Sequence, residues 1–151
     1  MTGAIRFYSV HAAYGELSNF APCPFVLGGR RWPTSEHYFQ AHKFVDRGVQ
    51  ERIRAVPTAM AAAQLGRSRR LKLRPDWERV KLGVMRAAVE AKFRQHPALA
   101  ALLLDTGDAP LVEHTEHDAF WGDGGDGGDG AGHNHLGRIL VAVRAALRER
   151  A

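Results

Sequence analysis

Cysteine is nearly absent from this chain: Cys23, set between Pro22 and Pro24, is the one thiol in 151 residues. A single thiol forms no internal disulfide and no CxxC half of a zinc site, so Cys23 reads as a bystander in a reducing compartment. Long apolar runs are missing too. No stretch approaches the roughly 18 residues that a membrane span requires, and Met1 to Val10 has no apolar signal core. The expectation is a cytoplasmic protein with no membrane partner. There are no sequence repeats and no domain linker, and the length suits a single domain over residues 1–151 that buries its core without staples. Acidic charge is the scarcer sign, with 16 Asp and Glu against 21 Lys and Arg, a net charge of +5 and a pI near 9.9. Such a surplus favours an anionic partner, a phosphate-bearing substrate or nucleic acid, without choosing between them.

The β content is expected to be small. Ile5-Arg6-Phe7-Tyr8 reads as a short strand, and Phe25-Val26-Leu27, Gly28-Gly29, Arg30-Arg31-Trp32 reads as a hairpin with a two-residue turn. Helices follow. Thr34 is a good cap for the helix that carries Glu36; Val49 to Val56 forms a second; Thr58 caps a third, Ala-rich, that ends at Gly66. Pro75-Asp76 opens the longest, Trp77 to about Gln95, in which Trp77, Val80, Val84, Ala88 and Ala91 keep helical spacing. Leu99 to Leu104 is a short apolar helix, and Leu136, Ile139, Leu140, Val143 and Leu147 mark one face of a closing amphipathic helix. The fold class is mainly α (α+β), with a small antiparallel hairpin near the N-terminus.

Within the first helical stretch, at about 100° per residue, Glu36, Gln40 and Lys43 fall within roughly 60° of each other. Tyr38, Ala41, Phe44 and Val45 point the other way. An ordinary solvated face shows the same pattern, with Glu in a first turn and Lys two turns on. A carboxylate, an amide and an amine in one stripe is also a plausible catalytic row.

Three other features compete for attention. The run from Gly122 to Gly130 places Asp at every third position, which fits neither an EF-hand loop nor a nine-residue calcium repeat, and 122–133 reads as a flexible Gly/Asp-rich loop. His114, His117, His133 and His135 bracket it but lack the register of known two-His zinc sites, so no metal is assigned. Arg67, Arg69, Arg70, Lys72 and Arg74 concentrate positive charge just before Trp77. They read as a solvated connector or as phosphate contacts, with no motif for reading bases beside them.

Four ordered blocks carry a family resemblance: Tyr14-Gly15-Glu16-Leu17-Ser18-Asn19-Phe20-Ala21-Pro22; Trp32 to Phe44; Phe120-Trp121-Gly122-Asp123-Gly124; and Asn134 with Leu136-Gly137-Arg138-Ile139-Leu140. Together they resemble the NADAR family, also called YbiA-like, across nearly the whole chain from Ile5 to Leu147. The resemblance implies a compact, mostly helical fold, no cofactor, and hydrolysis of N-glycosidic bonds to ribose. It implies two substrate classes, ribosylamino phosphates early in riboflavin biosynthesis and ADP-ribose attached to guanine in DNA or RNA. Both join ribose C1 to an exocyclic amine, and both carry phosphate. By the same resemblance Glu36, Lys43 and Asp118 are the catalytic candidates. Asn19, Phe20, Gln40, Trp77, Trp121, Gly122 and Asn134 are the substrate-binding candidates. His42 stands where the family often has Gln, and the stretch from Gly124 to His133 is richer in Gly and Asp than the family pattern.

Two mechanisms use these residues. An exocyclic ribosylamine can open to an imine, so an unprotonated Lys43 could exchange the amine for itself while Glu36 shuttles protons. With the sugar kept closed, Glu36 or Asp118 would stabilise an oxocarbenium-like centre and activate water while the other acid protonates the leaving nitrogen. Asn19, Gln40 and Asn134 would hold ribose hydroxyls, and Trp77, Trp121 and Phe20 would stack on the base, although each ring also suits a core. Two non-enzymatic alternatives share the charge: a module that binds ADP-ribose or a nucleotide uncleaved, and a nonspecific nucleic-acid binder.

Overall fold

The computed structural model describes residues 3–125 and 132–150. Among them are four short strands and six α-helices, in the order β1 (Ile5–Phe7), a 3-10 turn (Gly15–Leu17), β2 (Phe25–Leu27), β3 (Arg30–Trp32), α1 (Ser35–Ala41), α2 (Arg47–Ala55), α3 (Ala59–Gly66), α4 (Trp77–Gln95), α5 (Pro97–Asp105), β4 (Leu111–Glu113) and α6 (His135–Glu149). The mainly helical α+β expectation holds, antiparallel hairpin included. No helix among the described residues is long and apolar enough to cross a membrane. The chain divides into two compact units, Met1–Ser18 with His96–Ala151, and Asn19–Gln95.

In Asn19–Gln95 the hairpin leads into four helices. Gly28 and Gly29 both take positive φ, 64° and 77°, the geometry of a two-residue turn that pairs Phe25 with Trp32 and Leu27 with Arg30. Side-chain caps begin three of the helices. Thr34 Oγ1 accepts from the His37 amide, Asp46 from the Val49 amide and Thr58 Oγ1 from the Ala61 amide, each satisfying a donor that the first turn leaves orphaned. Asp46 is why α2 begins two residues before Val49. The core of this unit gathers Phe25, Trp32, Ala41, Phe44, Ile53, Ala62, Ala88 and Ala91.

The second unit holds a feature that the sequence did not disclose. β4 pairs with β1 in parallel, Ile5 opposite Leu111 and Phe7 opposite Glu113. α6 packs on β4 and α5, burying Leu136, Leu140 and Val143. Gly137 is required at this contact, because a Cβ there would lie 2.0 Å from the Leu111 carbonyl oxygen. Of the Gly/Asp-rich loop, residues 126–131 lie outside the described residues.

Candidate active site

α1 is short, and its ending shapes the row of polar side chains. After Ala41 the chain tightens, with the Lys43 amide on the Gln40 carbonyl and the Phe44 amide on that of Ala41. These are three-residue rather than four-residue returns. Arg74 occupies the carbonyls that follow, its amide donating to Lys43 O at 2.8 Å and its Nη1 to His42 O at 3.4 Å. A salt bridge to Asp76 at 2.6 Å fixes the same guanidinium. Arg74 is therefore engaged with the end of α1. Ala41 and, past that end, Phe44 still turn inward, but Val45 is 72% exposed rather than facing the core.

Glu36, Gln40 and Lys43 come together. Glu36 and Gln40 are buried, at 8% and 4% exposure, and Gln40 Nε2 donates to Glu36 Oε2 at 2.6 Å. Lys43 is half-buried; its Nζ lies 3.5 Å from the Gly66 carbonyl oxygen and 5.8 Å from the centroid of the Phe39 ring. Burial pushes its pKa down first; the Glu36 carboxylate opposes this, and Arg67 and Lys81 push it further down. An amine held out of water among like charges reaches its neutral, nucleophilic form at lower pH than a free lysine.

Asn19 stands behind this row. Its carbonyl accepts from the Glu36 amide at 3.2 Å, its Oδ1 from Ser35 Oγ at 2.8 Å, and its Nδ2 donates to Met85 Sδ at 3.2 Å. At 7% exposure, the Asn19 amide is engaged at both ends by protein. Phe20 is half-buried. Trp77 is buried and meets the Phe39 ring at 5.0 Å between centroids.

The remaining candidates lie in the other unit. Asp118 Oδ1 accepts from the amides of Phe120 at 2.9 Å and Trp121 at 2.8 Å. Trp121 stands edge-on to Phe120, with centroids 4.9 Å apart, and Phe120 in turn meets the ring of His135. Gly122 is buried where a Cβ would lie 2.8 Å from the carbonyl oxygens of Asp118 and Glu113. Asn134, with a left-handed φ of 51°, donates from Nδ2 to Leu111 O at 2.9 Å and accepts at Oδ1 from the Glu113 amide at 3.0 Å. Its side chain thus extends the edge of β4 as a strand backbone would. His114 Nδ1 meets Asp123 Oδ2 at 2.8 Å, while the His133 and His135 rings stack 5.4 Å apart. His114, His117, Glu116 and Tyr8 line an open cleft.

Sequence reasoning missed Ser35, Met85, Gly66 and the Arg67 and Lys81 charges near Lys43. None has a spacing signal: Ser35 acts through Asn19, 16 residues earlier, and the others reach the row only by longer chain reversals.

A buried carboxylate held by an amide, beside an amine pushed toward its neutral form, is the equipment of a hydrolase that moves protons and attacks an electrophilic carbon. The comparisons agree. The model of the NADAR domain matches residues 6–148, and the chain belongs to the NADAR family. It is 54% identical over 143 residues to N-glycosidase YbiA of Escherichia coli, covering 95% of this chain and 88% of that one. It is 46% identical to riboflavin biosynthesis protein VVA0006 of Vibrio vulnificus, over 100% of this chain and 40% of that longer protein. The NMR structure of the E. coli protein YbiA superposes with a TM-score of 0.90 at 52% identity, covering 99% of this chain and 87% of that chain. The chain is an enzyme of the N-glycosidase class.

Proposed function

We propose that this enzyme hydrolyses the bond between ribose C1 and an exocyclic amine in a phosphorylated ribosylamine of early riboflavin biosynthesis, with Lys43 as nucleophile and Glu36 as proton carrier. The observation that carries the reading is the neighbourhood of Lys43: an amine shifted toward neutrality whose one raising influence is the Glu36 carboxylate. The riboflavin biosynthesis name of the Vibrio vulnificus relative supports the substrate class, as does the net charge of +5.

The chemistry balances without a cofactor. The lone pair of the substrate nitrogen opens the ring: the C1 to ring-oxygen bond breaks, the ring oxygen takes the proton of Glu36, and an iminium is left at C1. Neutral Lys43 adds to C1, Glu36 carries the proton from Nζ to the substrate nitrogen, and the bond from C1 to that nitrogen breaks as the amine departs. Water adds to the lysine imine and gives its proton to Glu36; the C1 to Nζ bond then breaks as Glu36 protonates Nζ and takes the hydroxyl proton, so that Lys43 is neutral again and ribose 5-phosphate leaves as the aldehyde. Asn19 would hold the chain under Glu36, and Trp77 would pack beneath Phe39. We assign Phe20 to the base, and Asp118, Trp121, Gly122 and Asn134 to a binding loop whose backbone Asp118 and Asn134 shape.

The test is mass-spectrometric product analysis with a riboflavin-pathway ribosylamino phosphate and, separately, guanine-ADP-ribosylated DNA, each beside Glu36→Ala. Release of ribose 5-phosphate that depends on Glu36 is the expected result. Release of ADP-ribose alone would replace the substrate class, and release from neither would overturn hydrolysis in favour of a binding module.

A further inference from the structure

Gly66 is the last residue of α3, and it is buried against two members of the polar row at once. A Cβ built on it would lie 2.1 Å from Gln40 Oε1, 2.8 Å from Gln40 Cδ and 2.9 Å from Gln40 Cβ. Real Cβ atoms do not approach so closely, so any side chain at position 66 must displace the Gln40 amide. Backbone conformation is not the reason for glycine here. Gly66 is absent from the positive-φ glycines, and an α-helix favours alanine over glycine. The space is what is used.

The Gln40 amide has its orientation fixed by chemistry. A carboxylate oxygen 2.6 Å away only accepts, so the NH2 end must face Glu36 and the oxygen must face Gly66. Gln40 Oε1 is fully buried and has no hydrogen-bond partner among the described residues. A buried orphan oxygen is costly, and it is tolerated here where the amide's other end is committed to Glu36. The second contact is the carbonyl: Gly66 O accepts from Lys43 Nζ at 3.5 Å.

We propose that Gly66 is a positioning residue of the N-glycosidase: its missing side chain is the space that lets Gln40 hold Glu36, and its carbonyl oxygen holds the Lys43 amine beside them. This rests on the assignment of Glu36 as proton carrier. Glu36 is faced by Gln40 and Lys43 on its own segment, with Arg67 beyond α3 and Lys81 on α4 acting on Lys43. A donor on a carboxylate favours its charged form. Loss of the Gln40 contact therefore moves the acid limb of the kcat/KM profile, which Glu36 and Lys43 shape together, to higher pH.

The experiment compares Glu36→Ala, Gln40→Ala, Gly66→Ala and the Gly66→Ala, Gln40→Ala double variant, reading Tm and the pH profiles of kcat and kcat/KM with a riboflavin-pathway ribosylamino phosphate. Gly66→Ala is expected to lower Tm, move the acid limb upward and reduce kcat by about tenfold or more with little change in KM. Gln40→Ala should move the limb in the same direction. In the double variant the clash with the amide is gone and only the 2.9 Å approach to the Cβ at position 40 remains, so Tm recovers part of the way toward that of Gln40→Ala, while the limb and kcat stay altered as in Gln40→Ala. A merely structural glycine would lower Tm in Gly66→Ala and leave the limb of that single variant at its wild-type position. Inactive Glu36→Ala beside wild-type limbs in Gln40→Ala and Gly66→Ala overturns the role of Gly66 alone. Full turnover in Glu36→Ala overturns the reading of Glu36 and this inference with it.

Discussion

His37 Nε2 lies 3.0 Å from the carbonyl oxygen of Val56, so a ring in the first turns of α1 holds the residue that ends α2. A carbonyl only accepts, which places the proton on Nε2 and leaves Nδ1 to accept from Thr34 Oγ1 at 2.8 Å. The same hydroxyl accepts from the His37 amide at 3.1 Å. Every polar atom of this fully buried ring is satisfied in the neutral state, one residue from Glu36.

Stability should therefore fall as pH drops through the range just below 6.5. Burial, opposed by the Val56 carbonyl, lowers the pKa of His37, and burial also lowers that of His42. Between each lowered value and the ordinary 6.5 the unfolded chain binds more protons than the folded one, so unfolding takes up protons. Their contribution is complete above pH 6.5 and is lost on acidification. Urea midpoints from pH 7.5 to 5.5 check this, with net proton uptake on unfolding in the wild type and a smaller uptake in His37→Gln. A native midpoint flat over that range contradicts it.

Two arginines one turn apart on α6 should differ sharply in value. Arg144 is 4% exposed and donates from Nη1 to Thr106 Oγ1 at 2.8 Å and Ala109 O at 2.9 Å. Arg148 is exposed and reaches Asp108 at 3.0 Å and the Gly107 carbonyl. Arg144→Ala strands buried acceptors and leaves a cavity, costing about 2–4 kcal/mol. Arg148→Ala loses a solvated bridge and costs below about 1 kcal/mol. Thermal unfolding should show about 5–10 °C lost in the first and about 3 °C or less in the second. Equal losses would mean that burial does not set the difference.

What was legible in the sequence was local. Gly28-Gly29 between Phe25-Val26-Leu27 and Arg30-Arg31-Trp32 announced the hairpin, Thr34 and Thr58 announced their helices, and the period of 3.6 brought Glu36, Gln40 and Lys43 to one side. β4 escaped because three residues carry no period, and its partner β1 lies about a hundred positions earlier. α5 begins at Pro97 rather than Leu99, since proline at a first helical position needs no amide partner. The outward turn of Val45 lies beyond the end of α1, where Arg74 meets the carbonyls of His42 and Lys43, a contact across about 30 residues. Gly66 had no sequence signature beyond a helix end, because what it does is leave room for a side chain 26 residues away.

The ionisation of Lys43 gives the sharpest test of the imine route. Turnover through a neutral amine should rise with pH across the pKa of Lys43, which burial, then Arg67 and Lys81, hold below 10.5 against the pull of Glu36. Removing one of those cations removes a lowering influence. Arg67→Ala should therefore move this limb of the kcat/KM profile to higher pH. Lys81→Met should move it the same way, reinforced by the Glu78 carboxylate that Lys81 now neutralises. Borohydride added during turnover should reduce the lysine imine and leave a ribose 5-phosphate adduct that peptide mapping places on Lys43, absent from Lys43→Ala. If the limb stays put in both variants and no adduct forms on an active enzyme, Lys43 is not the nucleophile. The closed-ring route would then require Lys43→Ala to raise KM more than it lowers kcat.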